Sequence, residues 1–84
     1  MLKKKVFSIY DMKAETYLQP FFALQKGLAI RSFSDTVNDK QTTLNQHPED
    51  FVLYEIGEFD EEKGELIPAK PQSLGKAIEY IKEQ

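Results

Sequence analysis

The stretch FVLYEIGEF, residues 51–59, decides the fold because it reads as a strand with apolar side chains on both faces. A period of two puts three large apolar residues on each face. They are Phe51, Leu53 and Phe59 on one face, and Val52, Tyr54 and Ile56 on the other. Such a strand is typical of the centre of a sheet, covered on each side. We therefore predict a central strand here.

The residues that follow this strand predict a hairpin and then a helix. Residues 60–64 (DEEKG) form a polar loop whose Gly64 can adopt a positive φ. Residues 65–67 then form a short return strand, which Pro68 ends. Further on, apolar residues recur with helical spacing and predict a last helix after Ser73. These residues are Leu74, Ala77, Ile78 and Ile81.

Upstream, a first strand is predicted over residues 3–10. Its alternation places Lys5, Phe7 and Ile9 on one face, and Val6, Ser8 and Tyr10 on the other. Pro20 favours extended geometry at the residue before it, so residues 17–23 are predicted as an edge strand or extended segment.

A helix is predicted over residues 26–37, where Ala29, Phe33 and Val37 recur every four residues beside Ile30. Asn38 tolerates left-handed geometry and is expected to end it. Residues 39–50 are polar apart from Leu44, and HPED at 47–50 reads as a turn or a single 3₁₀ turn.

These elements predict one α+β domain over residues 1–84, with two helices covering a sheet of three or four strands. If the first and central strands are neighbours, a helical crossover between them makes them parallel, so the sheet is expected to be mixed. The residues expected to be largely buried are Phe33, Leu53, Ile56 and Ile78.

The composition is that of a folded protein outside a membrane. The 84 residues include 40% hydrophobic residues and ten aromatics, whereas disordered chains have few aromatics. The longest apolar run, residues 21–24, is far short of the roughly 20 residues that a membrane-spanning helix needs. Cysteine is absent, which excludes disulfides and thiolate chemistry and fits a reducing cytosol.

Charge is distributed unevenly along the chain. Residues 1–40 carry seven basic and four acidic groups, whereas residues 41–84 carry four lysines and ten acidic groups. A chain with such poles could bind an anionic partner with one face, or stack head to tail with copies of itself. Two ordinary solvated surfaces would explain the same pattern equally well.

Few residues are candidates for catalysis or metal binding. His47 is the one histidine, lies in a polar loop before Pro48, and is expected to face solvent. The four glycines are isolated, so phosphate-loop and dinucleotide motifs are missing. The acidic hairpin tip around Asp60 is too short for an EF-hand loop and is expected to be solvated. We predict a protein without enzymatic activity, cofactor or bound metal.

Nucleic-acid binding has more support, because basic residues alternate with aromatic ones in the first part of the chain. Cations on phosphates and aromatic rings under bases are how single strands are held. The candidate residues are Lys3, Lys4, Lys5, Tyr10, Lys13, Tyr17 and Arg31. The competing interpretation is a solubilising lysine run with Tyr10 in the core, since most aromatics at strand spacing are buried.

Several strings occur together that are typical of one phage family. They are VFSIYDMKA at 6–14, PFF at 20–22, GLAIRSF at 27–33, VND at 37–39 and HPEDFVLYEIGEFD at 47–60. Together they resemble the small nonstructural protein of gokushoviruses, the Microviridae of Chlamydia, Bdellovibrio and gut bacteria. The resemblance covers residues 5–80, and the string at 47–60 is its most specific part.

The resemblance implies a non-capsid phage protein of the host bacterial cytoplasm that acts in progeny single-stranded DNA synthesis and packaging. By genome position it is similar to the microvirus protein C, often labelled DNA-binding. Expected partners are single-stranded DNA, viral replication or packaging proteins, and further copies of the chain, but no membrane. One alternative is a homo-oligomeric interaction module that does not bind DNA. A metal-dependent enzyme using the acidic tip is the weakest hypothesis.

Overall fold

Five strands form one antiparallel sheet in the computed structural model of the chain, which describes residues 2–82. Residues 1, 83 and 84 of the predicted domain lie outside the described residues. The strands are β1 (Lys3–Asp11), β2 (Thr16–Tyr17), β3 (Phe21–Ala23), β4 (Phe51–Asp60) and β5 (Glu65–Lys76). β4 lies between β1 and β5, which confirms the predicted central strand. Both β2 and β3 pair with the other edge of β1.

The helical elements join β3 to β4 and follow β5. They are helix α1 (Lys26–Val37), helix α2 (Thr43–Gln46) and two 3₁₀ turns, Pro48–Asp50 and Ala77–Tyr80. The bounds predicted for α1 and the turn at 48–50 are confirmed. Asn38 does end α1, but with φ −91° rather than in the left-handed region. Its side-chain amide donates to the Ser34 and Tyr80 carbonyls, at 2.7 and 2.9 Å, and so ties α1 to the last turn.

The sheet is antiparallel throughout rather than mixed, because the segment after β1 reverses the chain before the helix begins. β2 and β3 run back along β1, so that Ala23 lies opposite Lys5 near the start of that strand. α1 then returns the chain to the other end of the sheet, where β4 begins with Phe51 opposite Asp11. The prediction of parallel strands took the crossover to start at the end of β1, which was wrong.

Two features of the β4–β5 pair also differ from the predictions. Ile56 is an extra residue in β4, and Ala69, Lys70 and Pro71 bulge out of β5 opposite it. Pairing therefore resumes after Pro68, and the predicted short strand is instead twelve residues long. The bulge also reverses the alternation, so Phe59 lies on the same face as Tyr54 and not with Leu53.

The last helix was also predicted wrongly, since Leu74 belongs to β5 and only Ala77–Tyr80 turns, as 3₁₀. The core lies between the sheet and α1, and it contains the predicted Phe33 and Leu53 at 1% and 0% exposure. Ile56 is half-buried and Ile78 is 50% exposed, so these two are not in the buried core. The other core residues are Phe7, Ala29, Val37, Leu44, Phe51 and Ala77.

The difference between Phe33 and Ile78 gives a direct test of the core. Phe33→Ala removes a fully buried ring that packs edge-on against Tyr80, and should lower the free energy of unfolding by about 3–5 kcal/mol. Ile78→Ala, at a half-exposed position, should cost about 1 kcal/mol or less. Chemical denaturation measures both, and equal losses would contradict the placement of α1 over the sheet.

Candidate functional site

The two faces of the sheet differ in what covers them. α1 packs on the face that carries Phe7, Phe51 and Leu53. Residues directly opposite each other in antiparallel strands project from the same face, so the pairing defines the other side, here called the open face. Across the strands it carries Tyr17, Tyr10, Val52 and Lys76; then Ser8, Tyr54 and Ser73; then Phe22, Val6, Gly57 and Pro68; then Lys4, Phe59 and Leu66.

One end of the open face holds the tyrosine cluster, Tyr10, Tyr17 and Tyr54. Its ring centroids lie 4.7 Å apart for Tyr10–Tyr17, 6.4 Å for Tyr10–Tyr54 and 5.8 Å for Tyr17–Tyr54. Tyr17 is 45% exposed, while the other two rings are half-buried. The cluster therefore presents aromatic surface to solvent from three adjacent strands.

The sequence forces this cluster through strand register. Tyr10 lies opposite Tyr17 because the chain reverses between Asp11 and Thr16. The Asp11 carboxylate accepts hydrogen bonds from the Lys13 and Ala14 amides, at 2.9 and 3.1 Å, which closes that turn. Beneath the rings, the buried Ser8 hydroxyl donates to the Leu18 carbonyl at 2.7 Å and holds the segment after β2 against β1.

The other end of the open face is apolar. Phe22 and Phe59 contact each other with centroids 5.6 Å apart, and a groove of about 240 Å³ lies beside them. We call this the apolar groove; it is lined by Val6, Pro20, Phe22, Ile56, Gly57, Glu58, Leu66, Ile67 and Pro68. Gly57 is needed for the close approach of β5, since a Cβ there would lie 2.5 Å from the Ile67 carbonyl oxygen.

The structure separates the predicted lysine run from the tyrosines. Lys3, Lys4 and Lys5 begin β1, at the opposite end of that strand from Tyr10, and lie opposite the acidic end of β4. Lys4 forms an ion pair with Glu61, and Lys5 one with Glu55, both at 3.4 Å. The basic and acidic parts of the chain thus meet inside one sheet, and part of the lysine charge is neutralised there.

The two remaining predicted cations also lie away from the cluster. Arg31 is exposed on α1, which covers the opposite face of the sheet. Lys13 lies in the turn between β1 and β2, and lines an open cavity of about 660 Å³ with Asp11, His47, Glu49 and Asp50. Of the seven predicted residues, the structure therefore brings together only Tyr10 and Tyr17.

Tyr54 and Lys76 are residues that the sequence reasoning missed. Tyr54 follows Val52 on β4 and completes the cluster, and Lys76 lies opposite Val52 in the same row as Tyr10 and Tyr17. Lys76 is exposed and is the cation that the pairing places in the row of the tyrosines. Tyr54 could have been found from its place on the second face of the central strand, whereas Lys76 was hidden by the wrongly predicted last helix.

Within residues 2–82, His47, Glu49 and Asp50 are the group that could hold a divalent ion. Their ligand atoms lie within 4.8 Å of one another at the 3₁₀ turn before β4. His47 and Glu49 are exposed to solvent, and the positively charged Lys13 lines the same cavity. At the acidic hairpin tip, the Asp60 carboxylate instead accepts the Glu62 and Lys63 amides at 3.0 and 3.2 Å, and Gly64 adopts φ +67° as expected.

Comparison with known proteins gives the relationship of the chain. The model of the family described as Phage ORF5 protein matches residues 4–80, which includes every strand pair of the sheet except that of Lys3. The chain belongs to the phage ORF5 protein family. Protein ORF5 of Chlamydia phage 1 is 44% identical to it over 66 residues, which cover 74% of this chain and 69% of that protein. No solved structure matches the chain significantly.

Membership of the ORF5 family confirms the resemblance to a small gokushovirus protein. Among residues 2–82, neither helix is long and apolar enough to cross a membrane. The family match extends over both ends of the open face, including the tyrosine cluster and the apolar groove.

The exposure of the tyrosines predicts which of them the fold tolerates losing. Tyr17→Ala, on a two-residue edge strand, should lower the free energy of unfolding by about 1 kcal/mol, the scale of a cross-strand aromatic pair. Tyr10→Ala, half-buried on β1 between Tyr17 and β4, should cost roughly twice as much. Urea denaturation compares the two variants, and a larger loss for Tyr17→Ala would show that this ring is structural.

Proposed function

We propose that this protein is a non-enzymatic phage accessory protein that binds single-stranded DNA on the open face of its sheet. The observation that carries the proposal is the tyrosine cluster, three contacting rings on three adjacent strands with Tyr17 45% exposed and Lys76 in the same row. Exposed aromatic rings on a sheet are surfaces on which unpaired bases stack.

Stacking on this cluster favours single strands over duplex. Bases in a duplex already stack on each other, whereas those of a single strand expose their faces to an aromatic side chain. Each base–aromatic stack contributes about 1–3 kcal/mol and depends little on sequence. Tyr17 offers the most accessible ring, and Tyr54 and Tyr10 flank it from the next strands.

The charges support a binding mode that depends on stacking more than on phosphate contacts. Lys4 and Lys5 pair with Glu61 and Glu55, and the whole chain carries a net charge of −3. Lys76 is the cation placed beside the tyrosines. Each phosphate contact on a single strand contributes about −0.7 to the slope of log K against log salt concentration. We therefore expect a slope close to −1, shallow for a DNA-binding protein.

The biological setting of the proposal comes from the family. A small phage protein that holds single strands fits the synthesis and packaging of progeny viral DNA in the host cytoplasm. The chemistry of DNA nicking and synthesis then belongs to separate replication proteins, which are the proposed viral partners. A role like that of the microvirus protein C, suggested by genome position, is part of the same proposal.

The test measures binding of a short fluorescent single strand by anisotropy over a range of salt concentrations. Tyr17→Ala should weaken binding by about 1–3 kcal/mol, roughly 5- to 150-fold, without changing the salt slope. Lys76→Ala should flatten the slope by about 0.7. Replacing Lys3, Lys4 and Lys5 together by alanine should have a smaller effect on the slope than three free phosphate contacts would, because two of them pair with carboxylates.

Arg31→Ala is the matched control, since Arg31 lies on the helix-covered side and its loss should leave binding unchanged. A parent protein that does not bind single-stranded DNA at low salt would end the proposal. Binding that is lost in Arg31→Ala but kept in Tyr17→Ala would move the site to the helix layer.

A further inference from the structure

We infer that the apolar groove is the docking surface for a second copy of this chain, in a two-fold symmetric, face-to-face contact of the two open faces. The inference is independent of the proposed function, because it concerns the phenylalanine end of the open face and not the tyrosine cluster. Three observations support it: the shape of the surface, its charges and the prolines at its edges.

The shape combines a hollow with projecting side chains. Leu66 and Phe22 line the groove yet remain 67% and 50% exposed, so their outer parts stand at its rim. In a two-fold contact the same patch serves both partners, which requires a surface that carries both a ridge and a groove. Leu66 of each copy can then enter the groove of the other and exclude water from Phe22 and Ile56 on both sides.

The charges around the groove suit a copy of the same chain better than DNA. Glu58 lines the groove, and Glu61 and Lys4 pair at 3.4 Å at the same end of the sheet. A carboxylate in the lining repels phosphate. A rim with both signs is self-complementary, because each copy can set its lysine against the acidic residues of the other.

The prolines determine how the copies meet. Pro20 precedes β3 at one edge of the sheet and Pro68 lies within β5 at the other, and both line the groove. Proline has no backbone N–H, so both edges are poor sites for adding another strand at these positions. The contact is therefore between side chains of packed sheet faces, about 10 Å apart, and not an extension of the sheet.

The test is the oligomeric state by sedimentation equilibrium at high micromolar concentration. The parent protein should be a dimer, and Leu66→Glu should raise the dissociation constant at least about tenfold by placing a charge in the partner's groove. Leu28→Glu is the matched control, because Leu28 is a 44% exposed leucine on α1, away from the open face, and this variant should dimerise as the parent does.

Leu66→Lys repeats the test with the opposite charge, so that loss of the dimer cannot be attributed to repulsion from Glu58. Circular dichroism confirms that each variant remains folded. A parent protein that is monomeric throughout the concentration range would overturn the inference. A dimer that Leu28→Glu dissociates and both Leu66 variants leave intact would overturn it as well.

Discussion

The antiparallel pairing of β1 with β4 is the constraint on which the rest of the structure depends. It joins residues 3–11 to residues 51–60, so that most of the chain between them must return to the end of the sheet where it left β1. The α1 helix fills that connection and supplies the apolar layer over Phe7 and Leu53. The same register places Tyr54 beside Tyr10 and the basic start of β1 against the acidic end of β4.

That pairing also gives the open face its two different ends. The tyrosine end carries aromatic rings with Lys76, whereas the phenylalanine end is apolar and bordered by Glu58 and Glu61. The bulge at Ile56 creates the second end, because it turns Phe59 to the side of Phe22. A base can stack at the first end, and a protein surface is the better partner for the second. The proposed DNA binding and self-association therefore use different parts of one face.

Features set by neighbouring residues were predictable from the sequence. The bounds of α1, the alternation of β1 and the positive φ of Gly64 all follow from local spacing and from the needs of a tight turn. The direction of β4 was not predictable in this way, because it depends on whether residues 17–23 pair with β1 before α1 begins. The last helix failed for a related reason: Leu74 contacts the core from a bulged strand as well as it would from a helix.

The candidate site was half predictable for the same physical reason. Tyr10 and Tyr17 are close in sequence and lie across one tight turn, so their proximity could be expected. Tyr54 and Lys76 join them only through long-range pairing. The lysine run was a misleading signal, since the charge pattern of the sequence did not reveal that its partners are carboxylates of the same sheet.

The central claim is that the tyrosine end of the open face is the surface that binds nucleic acid. The most direct test is nuclear magnetic resonance of the isotope-labelled protein titrated with a short single-stranded oligonucleotide. The account predicts that the largest shift changes fall on the rings of Tyr10, Tyr17 and Tyr54 and on Lys76, with α1 unaffected. Shift changes centred on Arg31 and α1, or none at saturating oligonucleotide, would contradict it.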